Sequence, residues 1–219
     1  MKTIKIAAVN IGLPQTVPHG KKEVETGIFK SPVNSAVYLS KLGFEGDGQA
    51  DLKNHGGVDK AACVYSIDRF PFWEADLLPK LEPGAFGENL SLEGGAEEDF
   101  CIGDTFSIGE AIVQVSQPRQ PCFKLSVRYG VPELPVQVQE TGYSGFYFRV
   151  LQEGLIQSGD AVQLLERHPA AMTVMRANEI KYKEQDDAQA IRELLSIPEL
   201  AEAWRGSLEK RLAKLESNS

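Results

Sequence analysis

Short strand-forming stretches, separated by clusters of glycine, aspartate and asparagine, run from the start of the chain to about residue 167. These stretches are rich in Val, Ile, Tyr and Phe, as half-buried strands are; they include TIKIAAV, AACVYSI, ENLSL, DTFSIGEAIVQVSQ, GFYFRVLQEG and DAVQLLER. Regular helices do not alternate with them, which favours a mainly β sandwich or barrel over a doubly wound sheet. Two stretches in this part of the chain, FPFWEADLL and CFKLSVRYG, could form short helices within that framework.

The pattern changes after this region, because apolar residues then recur at helical spacing over residues 174–215. The clearest series steps by four residues: Leu200, Trp204, Leu208 and Leu212. Asp186 or Asp187 is placed to cap the helix that contains AIRELL. We therefore predict a β-barrel domain over residues 1–168, followed by a bundle of about three helices over residues 169–219.

Composition excludes several classes of protein. The net charge of −8 disfavours nucleic acid as a partner. No apolar run is long enough to span a bilayer and no signal-peptide pattern opens the chain, so we expect a cytoplasmic protein without a membrane partner. Three cysteines at irregular spacing argue against both a disulfide framework and a structural zinc site.

One of these cysteines, Cys122, lies in an unusual segment. Although the protein is acidic, no carboxylate occurs from residue 111 to residue 132, whereas Arg119, Lys124 and Arg128 flank the thiol. Cations and the start of a helix both stabilise a thiolate, which is the form that binds a soft metal or attacks as a nucleophile. The alternative is the usual one for a free cysteine, a small buried apolar residue, and it is our interpretation of the other two cysteines.

The stretch HGGVDKAACVYS offers a second candidate site. Gly56 and Gly57 would let backbone amides approach a ligand, His55 can donate to an anion, and Lys60 stands at the entry of a predicted strand. A polar, glycine-rich stretch is more often a plain surface loop, and this one lacks the spacing of a dinucleotide or P-loop motif.

Further candidates are individually weaker. Asn89 lies in FGENL, where a turn is the default interpretation, and Arg149 follows Tyr147 on a strand, as either an anion clamp or a surface pair. Lys30, before a Ser-Pro turn, would by itself be a solvated charge.

Taken in order, the motifs FKSPV, HGGVDKA, FGENL, IGD and QPRQPCFKL resemble those of the MOSC-domain family, the C-terminal domain of molybdenum cofactor sulfurases, across nearly all of residues 26–165. The helical tail resembles the three-helix extension of the YiiM-like branch of that family. The ordered combination of the motifs is more specific than any one of them.

The resemblance implies a β-barrel-like fold that binds the molybdenum cofactor, a pterin with a dithiolene and a terminal phosphate. It implies an oxidoreductase, independent of pyridoxal phosphate, that reduces N-hydroxylated compounds such as 6-N-hydroxylaminopurine to the amine. Electrons would come from an external donor protein or reductant, and a homodimer is compatible with the pattern. Cys122 would be the metal ligand, and the cofactor would contact Lys30, His55, Gly56, Gly57, Lys60, Asn89, Arg119, Lys124 and Arg149.

The catalytic candidates are Cys122, His55 and Asp59, and the proton donor is sought among His55, Asp47, Asp51 and Asp59. Two other hypotheses remain open at this point. Cys122 could carry a persulfide in a sulfur carrier or cofactor-handling protein. Alternatively, the helices could dock a partner in a non-catalytic module, although a scaffold has no need of a carboxylate-free thiol.

Overall fold

The computed structural model describes residues 3–51 and 55–217. Most of the strands form one eight-stranded sheet, and the rest form smaller units beside it. The strands are β1 (Lys5–Ile11), β2 (Gln15–His19), β3 (Lys22–Thr26), β4 (Ser31–Val33), β5 (Val37–Ser40), β6 (Gly43–Phe44), β7 (Ala62–Ser66), β8 (Leu90–Glu93), β9 (Thr105–Ile108), β10 (Ala111–Pro118), β11 (Phe146–Gln152), β12 (Gly154–Ile156) and β13 (Val162–Glu166).

The helices fall into two groups, one beside the sheet and one at the C-terminal end. They are α1 (Phe70–Glu74), α2 (Lys124–Tyr129), α3 (Leu134–Thr141), α4 (Val174–Tyr182), α5 (Ala188–Leu195) and α6 (Glu202–Ser217). Two 3₁₀ turns, Val58–Lys60 and Ile67–Arg69, flank β7.

The main sheet has the strand order β13-β9-β10-β11-β7-β8-β1-β4. Neighbouring strands are antiparallel except β7 and β8, which are parallel. The backbone amide of Ile6 donates to the Asp160 carbonyl at 2.9 Å, and that of Val162 donates to the Ile4 carbonyl at 2.9 Å. These bonds bring β13, at one end of the sheet, against β1, which lies beside β4 at the other end, and they confirm the barrel-like arrangement.

Four phenylalanines pack against one another inside the sheet, with ring centroids 4.6 to 6.3 Å apart: Phe100, Phe106, Phe146 and Phe148. The buried faces of α4, α5 and α6 join the same apolar core through residues such as Ile191, Trp204 and Leu208. The predicted C-terminal helices are therefore confirmed, and they share a core with the barrel. The predicted boundary at residue 168 stays a prediction.

The helix ends follow from the sequence. The Asp187 carboxylate accepts a hydrogen bond from the Ala190 amide at 2.9 Å, which confirms the predicted cap of α5. The Thr173 hydroxyl caps α4 in the same way through the Arg176 amide at 3.0 Å.

Two elements differ from the sequence-based expectation. The β2–β3 hairpin is mostly exposed, so its residues are polar and lack the apolar alternation that marks a strand. The α3 helix contains a proline in its first turn, where proline is tolerated, although proline usually signals a break.

Candidate functional site

A solvent-open cleft of about 560 Å³ lies where several loops meet at the ends of the strands. The structure brings seven of the predicted residues to its lining: Lys30, His55, Lys60, Asn89, Arg119, Cys122 and Lys124. No aspartate or glutamate of the described ranges lines it, in a chain with a net charge of −8. The cleft is therefore a local cationic site in an acidic protein.

The loop of residues 119–124, which we call the cysteine strap, carries the thiol into the cleft. It leaves β10 at Pro118, is fixed by a hydrogen bond from the Arg119 amide to the Gly145 carbonyl at 3.0 Å, and leads into α2. Cys122 is partly exposed, whereas Cys63 and Cys101 are buried. The strap therefore places Cys122 at the lining of the cleft, and its predicted role as a ligand stays a prediction.

Arg119 is the most distinctive cation in the cleft. Its side chain is only 8% exposed, and its buried Nη1 atom has no hydrogen-bond partner within the described parts of the chain. A buried guanidinium normally has its donors satisfied, because an unpaired buried charge is costly. An unsatisfied donor at a cleft wall is the feature expected of an anion-binding site.

Asp47 lies behind the cleft wall and orients two of the lining residues. Its carboxylate pairs with the Lys30 ammonium, accepts from the Gly12 amide at 2.9 Å and accepts from the Asn89 side-chain amide at 2.9 Å. Asn89 in turn accepts from the Cys63 amide at 3.1 Å. Lys30 is thus a buried, paired residue and not the solvated charge that its own segment suggests. Because Asp47 is engaged with Lys30 and does not line the cleft, it is poorly placed as the proton donor.

His55 is held in its neutral form by its surroundings. Burial lowers its pKa from 6.5 to about 4, and the nearby charges of Arg119 and Lys124 contribute in the same direction. Burial also lowers the pKa of Lys60, whereas the carboxylates of Asp59 and Asp51 oppose that shift. At neutral pH the imidazole therefore acts as an uncharged hydrogen-bonding group, and the Lys60 ammonium holds its proton less tightly than an exposed lysine does.

Asp59 and Arg149 lie together outside the lining of the cleft. The Asp59 Oδ1 atom accepts from the Arg149 Nε at 2.9 Å and Nη2 at 2.7 Å, and Arg149 also donates to the Gln114 side chain at 3.0 Å. Arg149 is therefore paired with Asp59 and does not line the cleft, and its predicted contact with the cofactor stays a prediction. The other Asp59 oxygen accepts from the Glu202 amide at the start of α6 at 3.3 Å.

Three more predicted positions also lie outside the lining. Arg128 donates to the carbonyls of Ile28 and Gly84 at 2.6 and 2.7 Å, so it supports a cleft loop from behind. Gly56 and Gly57 do not line the cleft, and a Cβ added to Gly57 would contact nothing within 4 Å. No ligand-bound geometry tests the individual roles assigned from the sequence, which stay predictions.

The close backbone approach expected of glycine occurs elsewhere in the cleft. Gly87 has φ +73°, and a Cβ there would lie 2.8 Å from the Ile28 side chain. At Gly27 a Cβ would lie 2.6 Å from the Gly48 carbonyl oxygen. These two glycines let loops cross closely enough to form the cleft wall.

Cys63 and Tyr147 are among the lining residues that sequence reasoning missed. The Tyr147 hydroxyl donates to the Cys63 thiol, and burial raises the pKa of both groups. The alternation of side chains along β11 predicts that Tyr147 lies on the other face of the strand from Phe146 and Phe148. Its partner Cys63 lies on the neighbouring strand β7, at the paired position. Only that pairing between strands distant in sequence reveals the contact.

The described residues provide neither a cluster of metal ligands nor a helix that could cross a membrane. Within residues 3–51 and 55–217, no three His, Cys, Asp or Glu side chains converge to form a metal site. None of the helices in the described part is both long enough and apolar enough to cross a membrane.

The barrel-like sheet, its cationic cleft and the cysteine strap define the class of protein. The sequence model of the MOSC domain matches residues 51–163, and the chain belongs to the MOSC family. A second model, the YiiM-like 3-alpha helix domain, matches residues 172–215, which places the chain in the YiiM-like branch. The expected family and fold are thus confirmed.

Three similar proteins extend this assignment. The chain is 50% identical to the uncharacterized protein YflK of Bacillus subtilis (strain 168) over 210 residues, which cover 96% of this chain and 95% of that protein. The crystal structure of YiiM from Geobacillus stearothermophilus superposes with a TM-score of 0.82 at 41% identity, covering 95% of this chain and 99% of that one. A Gibberella moniliformis (strain M3125 / FGSC 7600) protein named reductase is 35% identical over 162 residues, 72% of this chain but only 29% of its own length.

Proposed function

We propose that this protein is an oxidoreductase that binds the molybdenum cofactor and reduces N-hydroxylated compounds to the corresponding amines. The observation that carries the proposal is the carboxylate-free, cationic cleft into which the cysteine strap presents Cys122. Membership of the MOSC family and the relationship to a protein named reductase support the oxidoreductase class.

The cleft residues fit an anionic, sulfur-bearing cofactor. The unpaired Nη1 of Arg119 can donate to a phosphate oxygen, and Lys60 and Lys124 add positive charge at the same wall. Cys122 offers a soft sulfur ligand, which suits a metal that is already bound by dithiolene sulfurs. When bound, the cofactor would supply the redox chemistry, and the protein would supply binding and orientation.

The remaining cleft residues act on the substrate side of the reaction. His55 in its neutral form can accept or donate a hydrogen bond without attracting an anion of its own. The Tyr147 hydroxyl stays protonated, because burial raises its pKa. A small N-hydroxylated compound is the substrate that we propose, with an external donor for the electrons.

The first experiment is metal and pterin analysis of protein expressed in a host that makes the molybdenum cofactor. The Cys122→Ala variant is prepared in parallel, together with Cys101→Ser, which removes a thiol outside the cleft. We expect stoichiometric molybdenum and pterin in the wild type and in Cys101→Ser, and loss of molybdenum in Cys122→Ala.

Activity is then measured as conversion of 6-N-hydroxylaminopurine to adenine with reduced methyl viologen as the electron source. Full activity in metal-loaded Cys122→Ala protein would contradict the role of Cys122 as a ligand. If the wild type holds neither molybdenum nor pterin, and gains the mass of one sulfur atom at Cys122 after incubation with a cysteine desulfurase, the protein is a sulfur carrier instead.

A further inference from the structure

We propose that Lys60 is the proton donor for cleavage of the N–O bond, and that Asp59 is the positioning residue that aims it into the cleft. This inference rests on the proposed reductase function. It assigns Lys60 a role in the reaction itself, beyond the cofactor contact expected from the sequence. It also moves Asp59 from a catalytic to a positioning role.

The backbone that carries Lys60 is held in place on several sides. Lys60 ends the 3₁₀ turn Val58–Lys60 and lines the cleft, while Asp59, one residue earlier, points away from it. The Asp59 carboxylate binds the Arg149 guanidinium and the amide that begins α6, and its backbone carbonyl accepts from the Ser116 hydroxyl at 2.5 Å. Contacts to β10, β11 and α6 therefore restrain the turn, so the direction of Lys60 is set by the fold.

The other acids considered for this step are less suitable. Asp47 pairs with Lys30 behind the wall, and Asp59 itself is taken up by Arg149. His55 has no proton to give as an imidazolium at neutral pH, since its pKa is about 4. Tyr147 holds its proton more tightly than an ordinary tyrosine, because burial raises its pKa.

Burial weakens the hold of Lys60 on its proton, because it lowers the pKa of the ammonium group. The nearby carboxylates of Asp59 and Asp51 oppose that shift, and the neighbouring imidazole of His55 is neutral. A general acid works best when its pKa approaches the working pH, and a desolvated lysine is one way to obtain such an acid.

The step balances as R–NH–OH + 2 e⁻ + 2 H⁺ → R–NH₂ + H₂O. The N–O bond breaks, the Lys60 ammonium gives one proton to the departing oxygen, and solvent gives the second proton to nitrogen. An external low-potential reductant, reduced methyl viologen in the assay, supplies the two electrons. Solvent then reprotonates the Lys60 amine.

The first test separates proton donation from simple charge. Lys60→Arg keeps a positive charge but holds its proton too tightly to act as an acid, so we expect full molybdenum and pterin content, a similar KM, and kcat reduced by ~100-fold or more. Lys5→Arg is the matched control, since Lys5 is exposed and pairs with Glu93 away from the cleft. In Lys60→Ala, added small primary amines should restore part of kcat, more effectively when the amine is the stronger acid.

The second test measures the pH titration of Lys60 and does not depend on enzymatic activity. Lysines of the cofactor-free protein are dimethylated with ¹³C-formaldehyde, the Lys60 resonance is assigned with Lys60→Gln, and its pH titration is followed by NMR. Asp59→Asn should shift that titration to lower pH, because a carboxylate that raises the pKa is removed. Asp68→Asn, which removes the negative charge of a carboxylate bound to the Gly94 amide, should leave it unchanged.

The outcomes distinguish this inference from the proposed function. A wild type with cofactor and activity, together with full kcat in Lys60→Arg, refutes the role of Lys60 and leaves the reductase intact. An unshifted Lys60 titration in Asp59→Asn refutes the positioning role of Asp59. A wild type with neither cofactor nor activity refutes the proposed function, and the role of Lys60 with it.

Discussion

A lysine buried between two C-terminal helices should cost the folded protein more free energy at neutral pH, where it is charged, than at alkaline pH. Lys181 on α4 is only 4% exposed; its ammonium lies 3.2 Å from the Ser207 hydroxyl and 4.4 Å from the centre of the Trp204 ring, both on α6. No carboxylate in the described part of the chain forms an ion pair with it. Burial, assisted by the charge of Arg211, lowers its pKa from 10.5 to about 8.

The shift in the pKa of Lys181 determines how much free energy its burial costs the folded state. One pKa unit corresponds to about 1.4 kcal/mol, so carrying the charge on Lys181 costs the folded state about 3 kcal/mol at pH 7. Between pH 8 and pH 10.5 Lys181 binds a proton more readily in the unfolded chain than in the native one, so its contribution to the free energy of unfolding should rise with pH across this window. Replacing Lys181 by Met removes the charge but also loses the hydroxyl bond and the ring contact, together about 1 kcal/mol.

We therefore expect Lys181→Met to be more stable than the wild type by about 2 kcal/mol at pH 7. Urea denaturation at pH 7, 8.5 and 10 measures the difference, which should shrink as the pH rises. Lys183→Met, two residues further on an exposed position, is the matched control and should change stability little. A Lys181→Met protein that is less stable at pH 7, or a difference that is constant with pH, would refute the reasoning.

Three further perturbations test the cleft wall. His55→Gln should reduce the loss of stability between pH 6.5 and pH 4 by about 3 kcal/mol in acid denaturation, because the native His55 binds fewer protons than the unfolded one in this range. Asp47→Ala leaves the buried Lys30 unpaired and should cost about 3 kcal/mol or more in urea denaturation, whereas equal stability would show that the pair contributes nothing. Gly87→Ala would place a side chain at a positive φ and against Ile28, so it should lower the Tm measurably in calorimetry. An unchanged Tm would contradict this expectation and show that the loop relaxes around the added methyl group.

The parts of the fold that depend on local pattern could be predicted from the sequence. Val, Ile and Phe alternation located the core strands, and the spacing of Trp204 and Leu208 located α6. The same holds for Cys122, whose carboxylate-free surroundings are visible in one stretch of chain. The β2–β3 hairpin could not be found in this way, since its exposed residues need no apolar alternation.

The parts of the site that depend on pairing between distant segments could not be predicted. Nothing within either segment indicates that Asp59 and Arg149 bind each other, 90 residues apart, or that Asp47 fixes both Lys30 and Asn89. Charged residues near a motif look alike in a sequence, whether they contact a ligand or one another. The fold distinguishes the two kinds of residue, because a side chain that is already hydrogen-bonded to protein partners outside the cleft has fewer groups left to bind a ligand.

The same contacts connect the helical extension to the framework of the candidate site, so the extension is not an independent appendage. Its α6 helix begins with two hydrogen bonds to the cleft framework, from the Ala201 amide to the Ser116 carbonyl at 2.9 Å and from the Glu202 amide to Asp59. Ser116 lies on β10, three residues before Arg119, and Asp59 directly precedes Lys60. Because Trp204 and Leu208 are buried in the core of the barrel, removal of the helices would expose that core and release both segments at once. The extension is thus required for the geometry of the cleft, because it holds both of these segments in place.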